Sequence, residues 1–269
     1  MANEAFQLSD SAVTAYEDQK VKAMFGPLAR ATLAKIHVTE KDAILDLACG
    51  TGIVARTILE QVAPAKPIVG VDLNEGMVRK AREITQSDSS KFSWHVANAE
   101  NLPFASGTFS LTICQQGMQY FPDEAAVLEE IRRVSAKNAK LVITVWAGAS
   151  DFFLAMADSV GRHVDPGIGE KYLAPFSYRN IEQLPTTMKS AGFKNINVER
   201  IAVDRTMVNI HSSIKNEILG HPAGPKVLEA GQAVVDAIAA DIIAACTEYR
   251  RGDDMIVPQL AYLCTASAG

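Results

Sequence analysis

One nine-residue run, Ile44-Leu45-Asp46-Leu47-Ala48-Cys49-Gly50-Thr51-Gly52, constrains the fold more than any other part of this chain. It is typical of a short buried strand that ends in an acid and a glycine turn, with a helix from about Ile53. Gly50 and Gly52 let the backbone pass close under a ligand, where a Cβ would collide. The following helix would direct its first N–H groups and its positive dipole end at that ligand. The run therefore predicts a strand–turn–helix binding unit.

The acid in this run narrows the kind of ligand. Residues 50–55 also fit the dinucleotide fingerprint G-x-G-x-x-G/A, which is a weak signal by itself. Asp46 would lie near the turn and would repel a pyrophosphate there. A carboxylate at this position suits a ligand with a cationic amino group, and S-adenosylmethionine is such a ligand.

Composition indicates an ordinary globular chain. Its 269 residues are 48% apolar and 21% charged, which suits one large domain or two small ones. The net charge of −5, without a basic run, argues against a nucleic-acid partner. Charged and polar residues interrupt the longest apolar helical run, Val227 to Cys246, so we expect no membrane span.

The cysteines and the N-terminus bear on metal binding and location. The four cysteines have no metal-ligand spacing, so we expect no metal site, and buried free thiols fit a cytoplasmic protein. Residues 1–10 lack a basic region followed by an apolar stretch, so we expect no secretory signal. The sequence does not indicate an oligomeric state.

Strand-like and helix-like segments alternate from Ala43 to Trp146, which predicts βαβ units and a parallel sheet. The strands predicted here are Ala43–Ala48, Pro67–Leu73, Phe92–Asn98, Ser110–Gln116 and Leu141–Trp146. The third alternates between apolar and polar residues, which predicts a half-covered edge strand. Two later strands are predicted at Ile196–Val203 and Gln259–Ala266.

The helical regions carry several further expectations. Asp123 is a plausible N-cap for a helix with apolar residues at helical spacing. A later helix either starts at Pro185 or has an irregular first turn. Residues 211–251 look helical, with Gly231 on their apolar face. Arg132 and Arg133 are interpreted as part of a solvated helix face.

Side chains that could contact a ligand follow the predicted strands. This position is relevant because ligands of open α/β sheets lie beyond the carboxyl ends of the strands. Asp72 lies 22 residues after Gly50, near the spacing at which an acid reaches a ribose diol. Met77 begins the next helix and could lie against an adenine face. Asn98 could bind the adenine amino group.

Five segments in order, ILDLACGTG, GVDLNEGM, NAENLPF, FSLTICQQGMQYFPD and LVITVWAG, resemble class I S-adenosylmethionine-dependent methyltransferases. The resemblance covers about residues 40–150 and continues more weakly from Ala191–Phe193 onward. It is strongest to the small-molecule group that includes ubiquinone/menaquinone-type C-methyltransferases and related natural-product O-methyltransferases. It implies an α/β, Rossmann-like, seven-stranded, mostly parallel sheet with helices on both faces and a helical lid.

The resemblance also predicts a division of the chain. Residues 1–40 would form an N-terminal helical lid segment, and residues 41–207 the Rossmann-like cofactor-binding core. Residues 208–252 would form a helical lid insertion, and residues 253–269 the final strand of the core.

The resemblance implies cofactor contacts from the glycine turn and from the strand ends: Asp46, Ala48, Gly50, Gly52, Asp72, Leu73, Met77, Asn98, Ala99 and Gln115. Asp46 would hold the methionine ammonium and Asp72 the ribose, while Gln115 would line the methionine end. Two positions depart from the pattern. The family often has a glycine where Ala48 stands and an acid where Asn98 stands, so altered adenine contacts are expected.

The acceptor side is less defined. Tyr16 and Gln116 are predicted to bind substrate, although Tyr16 could instead pack its ring and bond a backbone carbonyl. A hydroxyl acceptor can need a general base, and His163 and His211 are the candidates because they lie in regions expected to close over substrate.

These patterns predict methyl transfer to a small, partly apolar molecule, at oxygen, by in-line displacement. The many apolar residues of the lid suggest such an acceptor. Two alternatives remain open at this point. The chain could be an NAD(P)-dependent oxidoreductase that uses the same turn, although Asp46 counts against this, or a non-catalytic S-adenosylmethionine-binding protein.

Overall fold

A single sheet organises the fold. The computed structural model describes residues 10–178 and 180–269, so residues 1–9 of the predicted lid segment lie outside the described residues. The strands are β1 (Ile44–Leu47), β2 (Ile68–Asp72), β3 (Phe92–Val96), β4 (Phe109–Gln115), β5 (Ser135–Trp146), β6 (Phe193–Met207), β7 (Arg250–Arg251) and β8 (Asp254–Ala268). Their order is β3-β2-β1-β4-β5-β8-β6, and β7 pairs antiparallel with β8.

Parallel pairing dominates the described ladders. Strand β1 is parallel to β2 and β4, β2 is parallel to β3, and β4 is parallel to β5. Every residue of β1 is buried, as expected for a strand covered on both faces. Strand β3 lies at the edge, with Phe92 and Trp94 buried and their neighbours less so. The predicted Rossmann-like, mostly parallel sheet with an edge strand at β3 is confirmed, with one extra two-residue strand.

The helices connect these strands. They are α1 (Asp10–Ala15), α2 (Gly26–Leu33), α3 (Ile53–Gln61), α4 (Glu75–Ile84), α5 (Glu124–Val134), α6 (Asp151–His163), α7 (Pro166–Lys171), α8 (Leu184–Ser190), α9 (Ile210–Leu219), α10 (Gly224–Glu229) and α11 (Gln232–Ala245). A π-helical segment, Tyr16–Phe25, joins α1 to α2. No described helix is both long and apolar enough to cross a membrane. The cytoplasmic location stays a prediction.

Local signals set several helix ends. Asp123 caps α5 by accepting a hydrogen bond from the Ala126 N–H at 3.0 Å, as predicted. Helix α8 begins with Pro185 in its first turn, where no intrahelical N–H is needed. The expectation of one apolar helix through Gly231 is wrong. Its φ of 103° ends the helical path, so α10 and α11 are separate.

The chain divides into two compact units. The first comprises the described residues up to Val145, residues 180–201 and Tyr262–Gly269, and it contains β1 to β4. The second comprises Trp146–Tyr178 and Ala202–Ala261. The four-part division from the sequence stays a prediction.

The second unit has an aromatic core of its own. The rings of Phe153 and Phe176 lie 4.3 Å apart, and the Arg205 guanidinium lies 5.0 Å from the centre of the Phe153 ring. Arg205 also donates to the Glu217 carboxylate at 2.5 Å, and both side chains are buried. A buried charge of this kind needs such a partner, so the pair fixes β6 to α9 inside this unit.

Candidate cofactor and acceptor site

The strand order reverses between β1 and β4, and this is where open α/β sheets bind ligands. Because β1, β2 and β4 are parallel, their carboxyl ends meet at one edge. Asp46 pairs in register with Gly70 and Ile113. The strand ends that carry Asp46, Asp72 and Gln115 therefore converge, as the sequence predicts.

The glycine turn has a left-handed backbone at three alternate positions. The φ angles are 55° at Ala48, 54° at Gly50 and 82° at Gly52. Glycine adopts this region freely, whereas alanine is strained there, so Ala48 carries a cost where the family often has a glycine. Gly52 is the N-cap residue of helix α3, and its N–H donates to the Cys49 carbonyl at 2.8 Å.

Asp72 connects the turn to the end of β2. Its carboxylate accepts hydrogen bonds from the N–H groups of Gly50 and Asn74, both at 2.8 Å. Burial raises the pKa of Asp72, although these hydrogen bonds oppose the shift. Asn74 in turn caps α4 by accepting from the Met77 N–H at 3.0 Å. The acid thus fixes the turn in place, and its predicted ribose contact stays a prediction.

Asp46 is buried under the same turn, with 1% of its surface exposed. Its Oδ2 accepts a hydrogen bond from the Ala55 N–H at 3.1 Å, within the first turn of α3. Burial raises its pKa to about 7, the Asp72 charge adds to the shift, and the Ala55 hydrogen bond and Arg56 oppose it. Asp46 therefore stabilises the start of α3, and its contact with a ligand ammonium stays a prediction.

Trp94 supports the turn from below, which the sequence reasoning missed. A Cβ at Gly52 would lie 2.3 Å from the Trp94 ring, and a Cβ at Gly70 would lie 2.2 Å from it. The Trp94 Nε1–H donates to the Thr85 hydroxyl at 3.0 Å. The alternating pattern of β3 placed Trp94 inside, but nothing local indicated which residues it would meet. Gly52 and Gly70 are both needed for this packing.

Tyr16 lies above the turn. Its hydroxyl is 3.4 Å from the position of a Cβ on Gly50, and its ring stacks on Phe25 with 5.2 Å between centres. Burial, and then the charge of Asp72, raise the pKa of Tyr16 far above its usual range. The phenol therefore stays protonated, which allows it to donate a hydrogen bond at the turn. Its substrate role stays a prediction.

The loop after β3 carries the predicted adenine contacts. Asn98 is exposed and accepts a hydrogen bond from the Glu100 N–H at 3.1 Å, while Ala99 is buried. Leu73 is half-buried, and Met77 is 7% exposed. These positions lie at the ends of neighbouring strands β2 and β3. Their adenine contacts stay predictions.

A salt bridge on α5 holds the same loop. Arg133 donates to the Glu130 carboxylate at 2.7 Å and to the carbonyls of Leu102 and Phe104 at 3.0 and 2.8 Å. Glu130 accepts from the Leu102 N–H at 2.6 Å. Arg133 is exposed, as expected for a solvated helix face, and its guanidinium also fastens this loop.

Three glutamines lie at and after the end of β4. Gln115 donates from Nε2 to the Phe25 carbonyl at 3.1 Å, and Gln119 donates from Nε2 to Oε1 of Gln116 at 3.0 Å. Within the described part of the chain, four buried amide atoms have no hydrogen-bond partner. One is Gln259 Oε1, and the other three belong to these glutamines: Gln115 Oε1, Gln116 Nε2 and Gln119 Oε1. Buried polar atoms are rarely left unpaired, so these atoms point to a ligand. The sequence reasoning did not select Gln119, although it follows Gln116 by three residues.

The comparisons with known proteins agree on one family. A family model described as a methyltransferase domain matches residues 44–138. A demethylmenaquinone methyltransferase from Lactiplantibacillus plantarum is 29% identical over 186 residues, which is 63% of this chain and 77% of the relative. A malonyl-[acyl-carrier protein] O-methyltransferase from Legionella pneumophila is 30% identical over 58% of this chain and 62% of its own.

These findings support a class I S-adenosylmethionine-dependent methyltransferase, the family that the sequence resembles. A solved structure of phosphoethanolamine N-methyltransferase 2 from Haemonchus contortus, in complex with S-adenosylhomocysteine, has the same fold, with a TM-score of 0.61 and 19% identity. The structural match covers 97% of this chain and 57% of the Haemonchus contortus chain. The methyltransferase names support an enzyme, and they argue against both the oxidoreductase and the non-catalytic alternatives.

The site of this methyltransferase fits S-adenosylmethionine, its cofactor. Gln115 Oε1 is a buried acceptor without a partner among the described residues, as a ligand N–H or O–H would need. A side chain at Gly50 would enter the space under Tyr16, so the glycine keeps that space open.

The two predicted base candidates lie in the second unit of the methyltransferase. His163 Nε2 lies 2.9 Å from Asp241 Oδ2, which also accepts hydrogen bonds from Ser159 and Arg162. His211 is exposed in the first turn of α9. The base role of either stays a prediction. Across residues 10–178 and 180–269, no three His, Cys, Asp or Glu side chains are grouped to hold a metal ion.

Proposed function

We propose that this methyltransferase transfers the methyl group to an oxygen atom of a small, partly apolar molecule that is uncharged near the reacting atom. The single observation that carries this proposal is the pair of uncharged amide atoms after β4 that have no partner among the described residues, Gln116 Nε2 and Gln119 Oε1. Gln116 is the substrate residue expected from the sequence, and Gln119 joins it here.

The amide pair supports a neutral acceptor whichever way the two amides are oriented. One hydrogen bond joins Gln116 to Gln119, and it uses one oxygen and one NH₂ group. If both amides were flipped, the same bond would form in reverse. Either way, one NH₂ donor and one oxygen acceptor are left unpaired. A hydroxyl group beside a carbonyl or ether oxygen would satisfy both.

A charged acceptor fits this site less well. Amides are neutral at physiological pH, so they offer no opposite charge to an ammonium or a carboxylate. Removing an ion from water without a paired charge costs several kcal/mol, which would weaken its binding on the order of a thousandfold or more. The names of several relatives contain "C-methyltransferase" and that of the Legionella pneumophila relative contains "O-methyltransferase", so the names do not favour oxygen over carbon.

The bound cofactor supplies a methyl group made electrophilic by the sulfonium. In-line transfer of that methyl group to the acceptor oxygen would leave the demethylated cofactor, and the hydroxyl proton would have to be removed. Gln116 and Gln119 would orient the acceptor, Gln115 would line the methionine end of the cofactor, and Tyr16 would cover the turn and exclude water. Neither the amides nor the protonated Tyr16 can take the proton, so we assign it to water.

The test has two steps. Isothermal titration first measures binding of S-adenosylhomocysteine, and its failure would overturn the whole function. Turnover is then compared for methyl salicylate, salicylate and tyramine, which share a phenol and differ in charge. We expect methyl salicylate to have a kcat/KM about tenfold or more above salicylate, with the product methylated at oxygen. Preference for salicylate, or methylation of the tyramine nitrogen, would contradict the proposal.

A further inference from the structure

Glu17 ties the π-helical segment Tyr16–Phe25 to the glycine turn. Its Oε2 accepts a hydrogen bond from the Thr51 hydroxyl at 2.5 Å, and Arg56 Nη2 lies 2.8 and 3.0 Å from its two carboxylate oxygens. Thr51 is the residue between the two glycines, and it is fully buried. The Glu17 and Arg56 side chains are only 13% and 21% exposed. This three-residue cluster, Glu17 with Thr51 and Arg56, is called the clasp below.

A second contact fastens the other end of the same segment. The Phe25 carbonyl accepts a hydrogen bond from Gln115 at the end of β4. Between these two anchors the backbone is wound as a π-helix, a rare form that is frequent at functional sites. Tyr16 directly precedes Glu17, so the clasp determines where the Tyr16 hydroxyl lies above Gly50.

We propose that Glu17 is a positioning residue for the cofactor. Its charge-assisted bonds to Thr51 and Arg56 hold the π-helical segment closed over the glycine turn and keep Tyr16 above Gly50. Bound cofactor then leaves only when the clasp opens. This inference rests on the proposed binding of the methionine end at the turn.

The chain provides a matched control on the same segment. Asp18 follows Glu17 and forms an ion pair with Lys22 at 3.3 Å, with the two side chains 60% and 71% exposed. Such exposed pairs contribute little to stability. Asp18→Asn removes one carboxylate from the segment, as Glu17→Gln does, but leaves the clasp intact.

The clasp is tested by cofactor binding to the full chain. Titration calorimetry gives the Kd for S-adenosylhomocysteine, and stopped-flow fluorescence gives its dissociation rate. We expect Glu17→Ala to raise Kd about tenfold, mainly through faster dissociation, and Glu17→Gln to have a smaller effect in the same direction. Asp18→Asn should stay within about twofold of the wild type.

Two further variants separate positioning from general stability. Thr51→Val should weaken binding and add little to Glu17→Ala, and Thr51→Ser, which restores the hydroxyl, should recover most of that loss. Urea unfolding without cofactor confirms that each variant is folded. Folded Glu17 variants with wild-type Kd and dissociation rate would overturn the clasp. Failure of the wild type itself to bind would instead overturn the proposed function.

Discussion

The packing of Trp94 against Gly52 leads to a prediction that separates two effects of replacing a glycine, the steric clash of the new Cβ and the strain of a positive φ. A Cβ on Gly52 would lie 2.3 Å from one Trp94 ring carbon and 3.0 Å from two more, and its φ is 82°. Gly70 has the same clash, at 2.2 Å, without a positive φ. Gly107 has a φ of 72° and nothing within 4 Å of a Cβ. Gly52→Ala therefore introduces both the clash and the backbone strain. Gly70→Ala introduces only the clash, and Gly107→Ala introduces only the backbone strain.

The expected costs follow from these geometries. Left-handed strain for alanine is about 1–2 kcal/mol, which is the whole cost expected for Gly107→Ala. Overpacking costs about 1–3 kcal/mol, which is the cost expected for Gly70→Ala. Gly52→Ala should therefore cost about 2–5 kcal/mol, the sum of the two. The ring has little freedom to retreat, because it stacks on Phe92 with 5.2 Å between centres and donates to Thr85.

Urea unfolding without cofactor measures these costs from the midpoint and slope of each transition. The free energy of unfolding should fall least for Gly107→Ala and most for Gly52→Ala. Adding Trp94→Phe should recover part of the loss in Gly52→Ala, with a coupling energy of about 1 kcal/mol, and none in Gly107→Ala. Equal losses in Gly52→Ala and Gly107→Ala would refute the reasoning, since the ring would then move aside without cost.

Two further predictions concern Asp46 and Arg133. The pKa of Asp46 is about 7 in the folded protein, above its usual 3.8. Between about pH 4 and 7 the folded state therefore binds more protons than the unfolded state, so the free energy of unfolding falls as pH rises through that window. Asp46→Asn should flatten that fall in urea midpoints measured against pH, and an unchanged slope would contradict the assignment. Arg133→Ala should free the Leu102–Phe104 loop and weaken S-adenosylhomocysteine binding about fivefold, as measured by calorimetry. Arg132→Ala, which removes a bond to the Gly269 carbonyl, should leave that binding unchanged.

The sequence predicted correctly the strands and helix caps that depend on residues close together in the chain. The apolar runs of β1 and β2 and the alternation in β3 follow from which faces of a strand are covered. The Asp123 cap follows from side-chain bonding to a backbone N–H three residues away. The break at Gly231 was missed because a single glycine is tolerated in many helices, and only its φ shows that this helix ends.

The sequence by itself determined the sheet, the glycine turn and the acids at the strand ends, because periodicity and turn chemistry act over a few residues. Only the tertiary structure decided that Trp94 fills the space under Gly52, that Glu17 reaches Thr51, and that Gln119 pairs with Gln116 beside a buried, unpaired Gln115 oxygen. The first two contacts join segments far apart in the chain, and the unpaired atoms depend on burial. Neither is encoded in a local pattern, since each is fixed by how the whole chain packs.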